Sequence, residues 1–487
     1  AVCAALARVG ELVAKSGQGG DLVSAFSKEI ESSYKHLASF LEESRQLGEG
    51  YDERLAAGDW AAARKFALRL QEGFESTESA RRVRIPVMVE TRPAGARLLR
   101  AGEELMRTVA GNQVPLVTPG LVLCQPNQTV QLTAVLAGFE PFQITIDGEA
   151  QPSISSVLSV IPERIIGFDV PSQTGVGVGD GWVAVGLRGG KLGFARTDGT
   201  SRQIRDLNGL KSVDSDPVIS GGRIFFVSNE MTLECVSVDP SVGVRGWPVQ
   251  LDSEAVTPLA AGDGRLVLVD EGGVMHCWEQ ATGRRLWGVA LGCAPSGAPT
   301  IKRRKAYVGA SDGRVLVFDV TDGKSIGVLR SPAGITTPVH VVGDKLFFGC
   351  DDDSIRAVDF VAGQVLWTEN IGRTPLARDL AVSSDSVVVV AAGRVISLDR
   401  NTGQEQGELP VEGQVLGVQL QGRRLFVQVR RPRGREQLSR EVVFACASGT
   451  LSILWEYAQK DSAPGAIGVD ANVVALPTAS GEVVLFR

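Results

Sequence analysis

ASDGRVLVFDVTDGKSIGVL, residues 310–329, carries a small-residue turn, an apolar run ending in Asp, a Thr-Asp-Gly turn and a second alternating run. The chain nearly repeats this grammar on either side. GVMHCWEQATG (273–283), SIRAVDFVAG (354–363) and GRVISLDRNTG (393–403) each end an apolar run in a Gly-closed turn. The closing residues Gly283, Gly323, Gly363 and Gly403 are spaced by 40 every time. Short runs rich in β-branched and aromatic residues, bounded by Gly and Asp, read as strands.

A second marker keeps the same period. Pro217, Pro258, Pro299 and Pro338 follow at intervals of 41, 41 and 39, each ahead of a short strand, as in PLAAGDGRLVLVD and PVHVVGDKLFFGC. A period of about 40 with four short strands predicts a β-propeller over 163–487. The spacing predicts eight blades, with seven as the alternative because the first repeat is the most degenerate. The last blade holds three strands at most. The upstream run PERIIGFDV is expected to supply its fourth and so remove an open edge.

The tryptophans keep the register. Trp287 and Trp367 lie 80 apart, Trp247 lies 40 before Trp287, and Trp455 follows after two periods and an insertion; Gly327 and Gly407 hold the remaining places. A flat indole on an outer strand can fill the wedge between twisted blades. The DGxxxxxDxxTGxxxW pattern resembles the PQQ-like, tryptophan-docking propeller repeat. That resemblance implies that Trp247, Trp287, Trp367 and Trp455 dock between neighbouring blades.

Upstream, two zones differ in composition. Residues 1–80 read as a helical hairpin or coiled-coil stalk. Val23, Phe26, Ile30, Leu37, Phe40 and Leu41 fall mostly at spacings of three and four, and Asp59 is placed to cap a second helix. Residues 84–150 alternate and turn at Pro93-Ala94-Gly95-Ala96, then again at Thr118-Pro119 and Gly138-Phe139. This zone resembles a PEGA domain, a small β-sandwich-like module, with AGEELMRTVAGNQV longer than the family's usual turn. The resemblance implies an extracytoplasmic or cell-surface protein. The fold class is therefore mainly β: helical hairpin, PEGA-like module, propeller.

Net charge is −6 with no strongly basic domain, which argues against nucleic acid. No apolar run is long enough to span a membrane. The chain opens AVCAALARVG without Met, which reads as a mature product or excised piece whose membrane-attaching segment lies elsewhere. Seven Cys without a CxxC read as small buried hydrophobes rather than a disulfide or zinc framework.

No catalytic, cofactor-binding or metal constellation stands out. Asp351-Asp352-Asp353 lacks the spacing of a calcium loop and reads as a solvated turn. The three His lie on different elements. Quinone-dependent dehydrogenases share the repeat, but they are longer, and the alcohol-oxidising ones carry adjacent cysteines that this chain lacks. One basic feature is prominent: Arg423, Arg424, Arg430, Arg431, Arg433 and Arg435 on one hairpin, read as a contact for an acidic partner or anionic polymer. The expected function is a non-catalytic scaffold for protein–protein contact, either in bacterial envelope assembly at the periplasm or cell surface or as the sensor region of a larger membrane protein. The expected partners are proteins of an envelope complex, with self-association through the N-terminal helices. A glycan- or peptide-binding propeller is the alternative, and a dehydrogenase the remote one.

Overall fold

The structure is a computed structural model. It describes residues 20–486 apart from Ala110, 208–211, Glu230, Thr374, 376–379, Ala392, 432–440 and 460–464. The chain divides into two units, Ala1–Leu158 and Ser159–Arg487.

In the first unit, α1 (Gly20–Ala56) and α2 (Trp60–Gly73) form an antiparallel pair, followed by the short α3 (Glu78–Arg82). The side chain of Asp59 accepts from the Ala62 N–H at 3.0 Å and so starts α2. The apolar stripe on α1 is only partly covered. Phe40 stacks on Phe74 at 4.7 Å, while Tyr34, Leu37 and Leu41 remain exposed. The side chains of Val23 and Phe26 lie outside the described residues.

Nine strands follow among the described residues. Gly120–Cys124, Ile85–Arg92 and Ser153–Val157 make a three-stranded sheet; Glu103–Glu104, Arg97–Arg100, Thr129–Val135 and Phe142–Asp147 make a four-stranded one. Val87, Val89, Leu98, Val122, Leu132, Ile144 and Ile146 form their shared core. The strand Ser153–Val157, beyond the boundary expected at residue 150, pairs parallel with Ile85–Arg92. Met106–Val109 and Asn112–Pro115 pair as a separate exposed hairpin, which accounts for the length of the 101–114 segment.

One buried guanidinium joins these helices to this sandwich. Arg64 on α2 donates to the carbonyls of Gly148 (2.5 Å), Glu149 (2.8 Å) and Pro86 (3.3 Å). Its hydrogen bonds go to backbone carbonyls, and the Asp147 carboxylate adds a longer-range attraction.

The second unit contains eight four-stranded sheets among the described residues. Sheets 1 to 7 each use four consecutive strands and span 172–206, 218–250, 260–290, 300–330, 340–370, 380–410 and 414–459. Sheet 8 takes three strands from 468–486 and its fourth from Arg164–Gly167, which pairs antiparallel with Glu482–Phe486. The first strand of each sheet touches that of the next, and that of sheet 8 touches that of sheet 1. The unit is thus a mainly β, propeller-like repeat.

Sequence pattern explains the layering. Second and third strands have neighbours on all sides and read as near-continuous apolar runs, such as the wholly buried Ser386–Ala391. Fourth strands alternate, as in Ser325–Arg330. First strands approach so closely that a Cβ on Gly177 would lie 2.0 Å from the Pro217 carbonyl oxygen.

In sheets 1, 2, 3 and 5 a recurrent hydroxyl ties the segment of the first strand to the second. Thr174, Ser215, Thr257 and Thr337 accept from the backbone N–H twelve residues on, at Gly186, Val227, Val269 and Gly349, at 2.8–2.9 Å.

Replacing Arg64 with Leu should leave three carbonyls short of a donor and destabilise the first unit by about 3 kcal/mol. All described helices lie in that unit, so the 222 nm ellipticity during urea unfolding reports it. An unchanged midpoint would refute the role given to Arg64.

Candidate interaction face

The seams between sheets determine what surface is presented. Trp287, on the fourth strand of sheet 3, sends its indole N–H to the Val320 carbonyl of sheet 4 at 3.0 Å. Eighty residues on, Trp367 of sheet 5 reaches the Arg400 carbonyl of sheet 6 at 2.9 Å. Each ring lies over the glycine of the receiving turn. A Cβ on Gly323 would lie 2.7 Å from the Trp287 ring, and one on Gly403 would lie 2.8 Å from that of Trp367. Both glycines also have positive φ, +72° and +75°. Glycine is required there twice, by the backbone and by the indole.

Where the tryptophan is absent, the seam is filled differently. At Gly327 the receiving sheet supplies Phe360, whose ring would meet a Cβ at 3.3 Å. Gly363, in the receiving turn, then has open space around it. At Gly407 the backbone of Gly449 and Thr450 moves in, to 2.9 Å from a Cβ position, and the Ser397 hydroxyl donates to the Ser448 carbonyl at 2.5 Å. The left-handed place in that turn belongs to Leu451, with φ +52°. A side chain fits there because no indole covers it.

The other two expected docking residues behave differently. Trp455 of sheet 7 lies against Phe486 of sheet 8 at 5.3 Å. Trp247 lies 5.4 Å from Phe225 of its own sheet, as Trp367 lies beside Phe347, and packs on a cluster that also holds Leu266, Leu268 and Trp278 of sheet 3; its indole N–H has no partner among the described residues. The neighbouring Gly246 backbone meets the Thr282–Gly283 turn instead.

The repeat agrees with comparisons to known proteins. The family model described as "Outer membrane protein assembly factor BamB" matches residues 232–380 and 351–487. The chain belongs to this family. The match runs from the third strand of sheet 2 through sheet 8. The BamB of Nitrosomonas eutropha is 24% identical over 208 residues, 39% of this chain and 49% of that protein. The BamB of Moranella endobia is 23% identical over 207 residues, 39% and 52%. The chain therefore spans about half the length of the curated relatives it matches. The computationally designed Ika8 protein shares the fold, with a TM-score of 0.53 at 18% identity, covering 66% of this chain and 97% of that one.

Antiparallel order within each sheet of this BamB-family repeat places the first-to-second and third-to-fourth turns on one face, here face A. The remaining turns and the sheet-to-sheet loops lie on the opposite face B. The arginines read as one hairpin cluster are thereby divided. Arg423 and Arg424 lie on face A, whereas Arg430 and Arg431 lie at the far end of the strand Arg424–Arg430, about 20 Å away. Arg430 pairs with the fully buried Glu441 at 2.8 Å, and Arg431 lies over the Phe444 ring at 5.3 Å. Arg433 and Arg435 lie outside the described residues.

On face A, Arg423 reaches across the seam to Asp385 at 2.9 Å. Hydrogen bonds from Ser383, then from Arg423, hold the Asp385 carboxyl below its ordinary value against the opposing effect of burial. Arg424 makes no ion pair among the described residues. Two clefts open on either side of this turn. One of about 710 Å³ lies toward sheet 6, at the seam where Gly407 replaces tryptophan. The other, of about 800 Å³, lies toward sheets 8 and 1, and Arg423 lines both. Sequence reasoning missed these clefts. The cleft toward sheet 6 has one sequence signal, the missing tryptophan at 407; the other has none.

Other candidate groups are structural. Asp352 binds the Arg356 guanidinium beneath the face B hairpin of sheet 5. His276 and Asp270 form a buried pair at 2.7 Å. Burial opposes ionisation of Asp270, but hydrogen bonds from His276, the Val274 N–H and Ser253 leave its carboxyl below the ordinary value. Burial pushes the thiols of Cys235, Cys277 and Cys446 up to about 12. Cys3 lies outside the described residues. Among the described residues no three His, Cys, Asp or Glu are disposed to hold a metal ion, and no helix is long and apolar enough to cross a membrane.

His340 lies on the first strand of sheet 5. Its Nε2 is buried without a partner among the described residues, and burial holds its pKa down to about 4. The unfolded chain binds that proton near pH 6.5. Stability from this group is thus present above pH 6.5 and is lost as pH falls toward 4, by about 3 kcal/mol. His340→Gln should flatten the urea midpoint over that window; an unchanged slope would refute the burial.

Gly403→Ala and Gly363→Ala impose the same left-handed strain, ~1–2 kcal/mol. Gly403→Ala alone pushes on an indole, adding ~2 kcal/mol. In a Trp367→Ala background the difference should vanish. Equal losses in the wild-type background, read by urea unfolding, would mean that Trp367 does not seat on this turn.

Proposed function

We propose that this protein is a non-catalytic scaffold of the bacterial cell envelope, acting outside the cytoplasm by presenting rigid faces to partner proteins. The observation that carries this reading is the family match over 232–487. The matching relatives are named as outer membrane protein assembly factors, and the proposed partners are proteins of such an assembly complex.

Two finer readings belong to the proposal. The eight sheets are the blades of one closed propeller, a reading supported by the unbroken circuit of first-strand contacts and by the shared sheet 8. The first unit is a PEGA-like module carried on a helical hairpin. In support, the Pro93–Ala96 turn is clasped by Thr118, whose hydroxyl accepts from the Ala96 N–H at 3.0 Å and lies 2.5 Å from that of Thr91. Seams filled by indoles, a phenylalanine and direct backbone contact make a stiff body, which suits a platform that must hold its shape against several partners.

Capture of the intact protein from cross-linked cells of its source should enrich outer-membrane assembly proteins over an untagged control. Recovery of none of them would reject the scaffold reading.

A further inference from the structure

Three independent observations meet at the turn Gln421–Arg424 of sheet 7. The first is shape: clefts of about 710 and 800 Å³ flank it on face A. The second is the seam. Trp287 and Trp367 fill the wedge elsewhere; at the Gly407 seam backbone contact closes the interior, and a cleft of about 710 Å³ remains at the face, bounded by Gln406, Ser386 and the Ser448–Thr450 backbone. The third is charge. Asp385 is already taken by Arg423 and Ser383, and Asp470 by the Ala471 N–H. Arg424 has no carboxylate partner. The lining that remains is donor-rich: the Arg424 guanidinium, the Asn472 amide and the Thr197 hydroxyl.

The turn is also held in place. Gln421 Nε2 donates to the Asp470 carbonyl at 2.6 Å on one side, and Arg423 crosses to Asp385 on the other. A preorganised, positively charged ridge between two clefts fits carboxylates presented on a chain narrow enough to lie across it.

We propose that this ridge is a docking site for an acidic polypeptide segment of a partner protein, Arg424 supplying the central contact. The proposal rests on the scaffold reading and names the surface and partner chemistry that reading lacks. Long polyanions and anionic membranes fit worse. On the same face the third-to-fourth turns carry Asp198, Asp239, Asp319, Asp359 and Asp399, each accepting backbone N–H bonds through a carboxylate that faces solvent. A flat or extended polyanion crossing the face meets this whole acidic rim, whereas a short segment seated between the clefts has only Asp198 and Asp399 nearby, at the outer sides of the two clefts.

The test uses the full chain and a fluorescein-labelled oligoglutamate peptide, with binding read by anisotropy at low salt. Arg424→Glu should weaken binding by at least ~10-fold. Asn472→Asp, which adds opposing charge in a turn without touching a strand, should weaken it in the same direction. Arg284→Glu, an exposed reversal on another turn of the same face, should change it by less than ~2-fold. Failure of the wild type to bind, or equal losses in Arg284→Glu and Arg424→Glu, overturns the proposal. So does a single-stranded oligonucleotide or a phosphatidylglycerol vesicle that binds as well as the peptide and shows the same Arg424 dependence. Capture of assembly proteins by Arg424→Glu at the wild-type level, with no peptide binding by the wild type, would sink this site and leave the scaffold standing.

Discussion

Everything in the second unit follows from the wedge between adjacent twisted sheets. Strands twist with a fixed hand, so neighbouring sheets that touch at their first strands diverge toward their fourth. The gap must be filled by something broad, apolar and able to satisfy a backbone carbonyl at its rim. An indole meets all three demands. Trp287 and Trp367 bury their rings and still donate to Val320 and Arg400. Substitutes divide the labour: Phe360 supplies bulk from the opposite side, and at Gly407 direct backbone contact closes the gap while the Ser397 hydroxyl makes the hydrogen bond.

The same constraint reaches across the seam into residue choice. Gly323 and Gly403 are fixed by rings that belong to another sheet, whereas Leu451 is permitted by the absence of one. A repeat in this protein is therefore a donor site on one sheet and a receiving turn on the next. Its period is visible because both halves recur together.

That coupling explains how much could be read from the chain alone. The 40-residue spacing of the closing glycines reflects a backbone requirement that no other residue meets as easily, so it survives divergence between repeats. The strand contributed by PERIIGFDV was legible because an incomplete final sheet demands a partner. Trp247 falls in register and packs on a cluster that spans sheets 2 and 3, but register says where a residue falls and not which way its N–H turns, and this indole finds no carbonyl among the described residues. The arginines were read as one cluster because they are close in sequence, although an intervening strand carries Arg424 and Arg430 to opposite faces. The clefts were invisible for a deeper reason. They depend on two or three sheets meeting, and no local pattern records a space.

The pairing of Arg164–Gly167 with Glu482–Phe486 brings segments from the two ends of the second unit into one sheet. During synthesis the earlier strand emerges more than 300 residues before its partner, and it has no sheet to join in the meantime. Sheet 8 cannot be completed until Glu482–Phe486 has been made. Until then sheet 1 and sheet 7 expose flanks that will later face sheet 8. The nascent protein thus carries a long-lived open edge, and its dependence on a chaperone should be greatest just before Glu482–Phe486 emerges.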